Sequence, residues 1–439
     1  MKTQFFFRHL IAIASLAALV TSCNNDDDFT APPVINGQQQ LKDTLTIGKT
    51  LKLSSKIKDR NNLSFEWTVD GKVVSSDSTY TFNPQTRGDF KINMTAKNSG
   101  GEVTLTYDIH TWGTYENGFF MINEGWFGHG TGTVGFYRYD TKAIEDSVFV
   151  KVNPDKNLKP ESSTLEFGTI INKKLFLVSK VGGPVVVADA YSLKEEKRIE
   201  AKGGNDWRAI AAIDENQALL TSGKGIFKLN LNTMELGGQI EGVTGQVGDI
   251  VKVNNYIFAL SASKGVLVIN ASTLAVEKTI SGMVLGFAVT DDKKVWAAGG
   301  TKLINIDSNT LEITETALGF QAYGSWGAWH PGSITAAKND VFIAKNASFN
   351  GGKEIYKYTG GAASLAKPFI TLTGVNILYG AGIGYDRKKN ILVVNTVDSG
   401  FGANFANNNL YFFNADSGAK TSGVSFSGYY FPAVSVFHQ

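Results

Sequence analysis

The residues best suited to binding chemistry are aromatic side chains in glycine-rich segments. Trp126 stands in the segment EGWFGHG, and Trp326 and Trp329 stand in YGSWGAWH. Because glycines flank these rings, the pattern places them in loops and not at the alternating core positions of strands. Rigid rings in loops offer a large apolar surface at little entropic cost, and they stack on planar ligands and sugar faces. The chemistry predicted for this chain is therefore recognition by stacking.

The complete predicted ligand site combines such segments from distant parts of the chain. Its residues are Trp126, Phe127, His129, Tyr323, Trp326, Trp329, His330, Phe349, Phe401, Phe405 and Tyr430. Loops carried by a rigid scaffold are where binding residues concentrate. The alternative interpretation is that these rings pack on one another and fill the mouth of the fold without holding a ligand.

Catalytic and metal chemistry finds less support in the sequence. Of five histidines, only His129 and His330 fall in the aromatic loops, and no acidic residue accompanies them at metal-ligand spacing. Glu124 and Asp398 stand in separate loops, which does not establish a catalytic carboxylate pair. The side-chain oxygens of the asparagines near Asn404 could bind calcium, but turn formation explains these residues equally well. We predict no enzymatic activity and no cofactor, and we assign no metal site.

The scaffold that positions these loops is a repeat of short β-strands. Strands that end on Asp or Asn and continue into turn residues recur along the chain, at Asp140, Asp189, Asn230, Asn270, Asp307 and Asn414. An Asp or Asn side chain at such a place bonds the backbone two residues on and starts a tight turn. The interval from Asp307 to Asn414 is long enough for two units. Seven four-stranded units of roughly 40–50 residues predict a seven-bladed β-propeller over residues 113–439.

The two ends of this region predict how the propeller closes. The first unit has strands at residues 118–123, 133–139 and 147–151 but lacks an inner strand, and residues 431–439 form a lone strand after the seventh unit. Pairing that strand with the first unit closes the ring and removes its exposed edges. The strand order then places the long aromatic loops of blades six, seven and one on one face.

A separate β-module precedes the propeller. In residues 43–112, Leu63, Phe65, Trp67 and Val69 alternate with polar residues, and about seven short strands are predicted. This pattern predicts an immunoglobulin-like β-sandwich with Trp67 in its core, and it resembles the polycystic-kidney-disease (PKD) type of module. Such a module is most often a spacer, and we assign it no ligand.

The N-terminal residues are predicted to target and anchor the protein. Residues 1–22 have a basic start and an apolar run too short to span a bilayer, and small residues precede Cys23, the only cysteine. We predict a lipoprotein signal peptide with lipid on Cys23; the alternative is an ordinary signal peptide with an unrelated cysteine. Residues 23–42 form an acidic tether and linker. Their acidic start resembles the export signal of Bacteroidetes lipoproteins, which implies an outer-membrane protein facing the cell exterior.

The opening of the first blade carries a further resemblance. The segments FFMINEG and GTVGFYRYD resemble those of YncE-like seven-bladed lipoproteins of Bacteroidetes, a group that includes cobalamin-capture proteins. The resemblance implies a surface receptor that binds a small nutrient, cobalamin-like, and passes it to a TonB-dependent outer-membrane transporter. The alternative function is a glycan- or protein-binding adhesion module. The net charge of +2 without a long basic run argues against a nucleic-acid partner, and we expect membrane contact through the lipid anchor only.

Overall fold

The computed structural model describes residues 30–324, 333–345 and 351–438, which are almost entirely β-structure. They form two compact units. The first contains residues 30–45, Thr50–Asn83 and Gly88–His110, and the second contains Thr46–Lys49, Pro84–Arg87 and the chain from Thr111 onward. Within the described residues, no helix has the length and apolar character needed to cross a membrane.

The first unit is a two-sheet sandwich around a single tryptophan. Its strands are β1 (Gln40–Thr46), β2 (Leu51–Ser54), β3 (Ser64–Val69), β4 (Lys72–Ser75), β5 (Thr79–Phe82), β6 (Gly88–Asn98) and β7 (Gly101–Trp112). One sheet has the order β1-β7-β6-β3-β4, and the other pairs β2 with β5. Trp67 is fully buried, its ring stacks on Tyr107 at 6.2 Å, and its Nε1 donates to the Asp77 carbonyl at 2.7 Å. The predicted sandwich and its core tryptophan are confirmed.

The packing of this unit includes part of the segment that the sequence predicts to be a linker. Ile35 is buried and forms a β-bridge with Ile57, and both belong to the same apolar cluster as Trp67. Residues 35 and 57 therefore help to close the sandwich.

The second unit is a ring of β-sheets. The first blade contains β8 (Gly118–Asn123), β9 (Thr133–Arg138) and β10 (Ile144–Glu145), followed by helix α1 (Val148–Val152). Blades two to four contain β11 (Leu165–Ile171), β12 (Lys174–Ser179), β13 (Val185–Asp189), β14 (Glu195–Ile199), β15 (Trp207–Ala212), β16 (Gln217–Ser222), β17 (Gly225–Asn230), β18 (Leu236–Gln239), β19 (Val247–Val253), β20 (Tyr256–Ser261), β21 (Gly265–Asn270) and β22 (Val276–Ile280). Blades five to seven contain β23 (Ala288–Val289), β24 (Lys294–Asp307), β25 (Ile313–Ala322), β26 (Ile334–Ala337), β27 (Asp340–Lys345), β28 (Glu354–Tyr358), β29 (Ile370–Thr371), β30 (Asn376–Asp386), β31 (Ile391–Asp398), β32 (Asn407–Asn414) and β33 (Lys420–Ser427).

The last strand, β34 (Pro432–Phe437), closes the ring as predicted. It pairs antiparallel with β8, with Val434 opposite Ile122 and Val436 opposite Phe120, so the first sheet has the order β10-β9-β8-β34. The Phe437 and Phe119 rings lie 5.0 Å apart. Because both ends of the region share one sheet, the propeller has no open inner edge.

The sequence pattern reflects where each strand lies in its blade. All six residues of β8 are buried because neighbouring blades cover both faces of the sheet, whereas all four residues of the outer strand β18 are exposed. The predicted turn chemistry is present: Asn270 Oδ1 accepts from the Ser272 and Thr273 amides at 2.9 and 3.1 Å.

Two local features differ from the sequence-based expectation. Residues 147–151, predicted as a strand, lie largely in α1, whose consecutive residues Val148 and Phe149 are both buried. In blade five the two middle strands form one continuous strand, β24, which turns at Gly300, where φ is +57°. Six sheets therefore have four strands, and this one has three.

Candidate functional site

An apolar surface lies on one face of the propeller. With strands A to D numbered outward in each blade, the B–C loops and the D–A connections share this face. Large apolar side chains exposed in these loops and connections include Trp126, Phe127, Val181, Tyr323, Val375, Phe401 and Tyr429. Exposed apolar side chains mark an interaction surface where they are contiguous.

Five rings on this face form a continuous row of contacts. Trp126 lies 4.5 Å from Tyr429, Tyr429 lies 6.4 Å from Phe431, Phe431 lies 5.7 Å from Phe405, and Phe405 lies 5.2 Å from Phe401, all between ring centroids. We call these five residues the aromatic row. Its ends are open to solvent, since Trp126 is 40% and Phe401 is 55% exposed, whereas Phe405 in the middle is buried. The row joins loops of blades one and seven.

The structure brings four of the predicted site residues into this arrangement. Trp126, Phe401 and Phe405 belong to the row, and the His129 ring lies 4.1 Å from Trp126. The others stand apart or are not described. Phe127 and Tyr323 are exposed on the same face, whereas Trp326, Trp329, His330, Phe349 and the predicted lipidation residue Cys23 lie outside the described residues.

Tyr430 is placed away from the row. Its ring contacts Phe426 at 5.4 Å, and burial together with the nearby Asp146 carboxylate raises the pKa of Tyr430 to about 12. Its neighbours Tyr429 and Phe431 lie in the row instead. Residues 429–431 lie outside the strands, and Phe431 has φ +51°, so the alternation of a strand does not set the directions of these side chains. The signal for Tyr429 and Phe431 is that they stand in the same aromatic segment as Tyr430, but the sequence does not tell which of these rings faces the row.

Beneath the row lies a group of buried charges. The Tyr379 hydroxyl donates to Glu124 Oε2 at 2.9 Å, and Lys180 Nζ lies 2.7 Å from Glu124 Oε1 and 3.0 Å from Glu166 Oε2. The Lys180, Glu124 and Glu166 side chains are only 7%, 5% and 0% exposed. We call these four residues the buried ion cluster. They come from strands and loops of blades one, two and seven, so no local motif in the sequence could reveal them.

The cluster fixes the charge states of its members. Burial alone would lower the pKa of Lys180, but the carboxylates of Glu166 and Glu124 outweigh it, and the pKa is raised. Burial, with Glu124 nearby, raises the pKa of Tyr379 well above its usual value. Lys180 is therefore a cation and Tyr379 a hydrogen-bond donor at neutral pH.

Tyr379 connects the buried ion cluster to the aromatic row. Its ring lies 6.0 Å from Phe405 and 5.5 Å from Phe431, while its hydroxyl is held by Glu124. The middle of the row thus rests on a side chain that is fixed at both ends. Such support holds a recognition surface rigid before a ligand arrives, which reduces the entropic cost of binding.

The chemistry that this arrangement supports is stacking. The exposed rings at both ends of the row present apolar faces to solvent. In the part of the chain that the structure describes, no three His, Cys, Asp or Glu side chains are grouped so as to hold a metal ion.

Sequence models of two families match the chain. A sequence model of the family described as "Domain of unknown function (DUF5074)" matches residues 117–438, and one of the PKD-like domain matches residues 32–98. No curated protein matches the chain.

Solved structures similar to this chain include a quinoprotein alcohol dehydrogenase-like protein from Bacteroides thetaiotaomicron. It is 18% identical, with a TM-score of 0.59 over 92% of this chain and 99% of that chain. BamB from Moraxella catarrhalis is 11% identical, with a TM-score of 0.38 over 61% of this chain and 79% of that chain. At such identity the first similarity shows the fold alone and leaves function to the residues of the site.

Proposed function

This chain belongs to the DUF5074 family of unknown function through residues 117–438, and we propose that it binds a small ligand against the aromatic row. The observation that carries the proposal is the unbroken row of five rings, joined by four contacts, whose two ends, Trp126 and Phe401, are exposed. A propeller joined to a PKD-like domain suggests a cell-surface or binding module, and a stacking surface fits that role.

The backbone at Phe401 supports a functional role for its ring. Phe401 has φ +57° and ψ −179°, a conformation that is essentially restricted to glycine. Residues held in such conformations cost about 1–3 kcal/mol and cluster at functional sites. The surrounding loop therefore carries strain at a residue whose large apolar ring is left in water.

The ligand in this proposal is a bulky planar nutrient, with cobalamin as the candidate. Aromatic faces stack on a flat macrocycle, and the resemblance of the first blade to YncE-like lipoproteins of Bacteroidetes supports this choice. In this proposal, lipid on Cys23 anchors the protein to the outer membrane, and the ligand passes to a TonB-dependent transporter. The protein then acts as a receptor and not as an enzyme.

Calorimetry against cobalamin and a panel of glycans tests the proposal. Losing one aromatic hot-spot residue commonly costs at least about 2 kcal/mol, roughly thirtyfold in affinity. Trp126→Ala and Phe401→Gly should therefore each weaken binding by about that factor. The matched control is Leu236→Ala, because Leu236 has the same 40% exposure as Trp126 but lies on the outer strand β18. It should bind as the wild type does.

Phe401→Gly separates loss of binding from loss of folding. Glycine adopts the Phe401 backbone conformation without strain, so this variant should keep its melting temperature while it loses affinity. Binding of glycans but not of cobalamin would favour the adhesion module. If both folded variants bind their ligand as tightly as the wild type, the aromatic row is not the site.

A further inference from the structure

A cavity runs along the axis of the propeller, distinct from the aromatic row. It has a volume of about 900 Å³, and the inner strands or adjoining turns of all seven blades line it. Much of its wall is apolar, with Ile170, Ile210, Ile250, Phe287, Ile334 and Val434 among the lining residues. On β11 the lining extends from Glu166 to Asn172, which is roughly 20 Å of extended strand. The cavity is therefore long and narrow.

One carboxylate in the wall is held in place by backbone groups. Asp249 Oδ1 accepts from the Ile250 amide at 2.9 Å, and Oδ2 accepts from the Phe287 amide at 2.7 Å. Glycine at position 286 permits this approach, because a Cβ there would lie 2.5 Å from Asp249 Oδ2. The carboxylate is thus fixed between blades four and five.

Asp249 differs from the other charged residues of the cavity. Glu166 is paired with Lys180, and Lys252 and Lys293 are exposed at the opposite end. Asp249 has no ion-pair partner among the described residues, and burial raises the pKa of its carboxyl. Lys252 is three residues away, about 10 Å along the strand, which is near the Debye length at physiological salt. A cation next to Asp249 would offset the cost of burying its charge.

We propose that the axial cavity is a second ligand site, which takes a small organic ammonium ion with an apolar body. The ammonium group lies against the Asp249 carboxylate, since carboxylates are among the groups that recognise such cations. The apolar body packs on the isoleucine and valine side chains of the inner strands. The residues of the cavity wall match this chemistry. The proposal holds whichever ligand binds at the aromatic row.

Three probes with the same six-carbon tail test the charge preference: hexylammonium, hexanoate and hexanol. In calorimetry with the full-length chain, hexylammonium should bind roughly tenfold tighter than hexanoate or hexanol. Trp126→Ala should leave this binding unchanged, which separates the cavity from the aromatic row. Equal affinity for the three probes, or tighter binding of hexanoate, would overturn the proposal without any variant of the cavity.

The variant Asp249→Asn tests whether this carboxylate causes the preference for hexylammonium. It should bring the affinity for hexylammonium down to that for hexanol while hexanol binding, which reports an intact cavity, stays unchanged. The control is Asp140→Asn, because Asp140 Oδ1 accepts from the next amide at 2.8 Å in the same way but lies outside the cavity. If Asp249→Asn binds hexanol and retains tight hexylammonium binding, the site is elsewhere.

Discussion

Lys180 is the residue on which the buried ion cluster depends. It is the cation between Glu124 and Glu166, at 2.7 and 3.0 Å. Two carboxylates removed from water are tolerated only when they are paired, since desolvation of an isolated charge costs several kcal/mol. Lys180 therefore permits Glu124 to hold the Tyr379 hydroxyl, and through Tyr379 it supports the middle of the aromatic row.

Replacing this lysine should destabilise the propeller strongly. Lys180→Met keeps the aliphatic bulk but leaves two buried carboxylates facing each other, so we expect a loss of about 3–5 kcal/mol in the free energy of unfolding. Urea denaturation measures it. Lys264→Met is the control, because Lys264 is exposed and its Nζ contacts only a backbone carbonyl, at 3.4 Å. Similar losses in the two variants would mean that the cluster does not stabilise the fold.

At the scale of the element, the closing strand β34 is held by more than its pairing with β8. His438, the residue after it, donates from Nε2 to the Tyr115 carbonyl at 2.6 Å, and its ring stacks on Tyr191 at 5.3 Å. Burial lowers the pKa of His438 below its usual value of 6.5, although the bond to Tyr115 opposes this effect. The end of the chain is thus fixed by a neutral histidine.

This lowered pKa predicts a pH dependence of stability. The unfolded chain takes up a proton at His438 near pH 6.5, whereas the folded chain resists it, so the stabilising contribution is complete above that pH and falls as the pH drops toward the folded pKa. Between pH 7.5 and 5.5, the melting temperature of the wild-type protein should fall more than that of the His438→Gln variant. A difference between the two proteins that is constant with pH would contradict this assignment.

For the whole molecule, the order of segments suggests a protein held at a surface. A PKD-like domain at residues 32–98 precedes the propeller. Before that domain, the predicted signal peptide is followed directly by Cys23, the single cysteine of the sequence. In the function proposed above, the lipid on that cysteine keeps the aromatic face outside the cell. The first unit then serves as a spacer.

Location can be measured on intact cells. An antibody against the propeller should label cells that express the wild-type protein, and Cys23→Ala should release the protein or leave it in another compartment. The expected reason is loss of the lipid, because the apolar run before Cys23 is too short to act as a membrane span. Protease added to intact cells provides the second readout, and a wild-type protein that resists it there but not in lysates would exclude the surface location.

The sequence by itself determined the β-architecture of this protein. Apolar alternation around Trp67 predicted the sandwich, and the repeated Asp or Asn turns, such as the one at Asn270, predicted seven blades. The unpaired strand at the end of the chain predicted the closure through β34. These features are local, since a strand period or a turn is encoded within a few consecutive residues. The glycine-flanked segments likewise identified Trp126 and Phe401 as loop rings.

Only the tertiary structure decided which side chains meet. The buried ion cluster joins Glu124, Lys180 and Tyr379 across three blades, and the hydrogen bond between the first and the last spans 255 positions in the chain. Tyr429 contacts Trp126 in the aromatic row, whereas Tyr430 contacts Phe426. Which of the two tyrosines joins the row depends on how the chain passes from blade seven into blade one. Asp249 faces an axial cavity that exists only when the blades surround it. Such contacts are set by how the blades pack around one axis, and no short stretch of sequence contains that information.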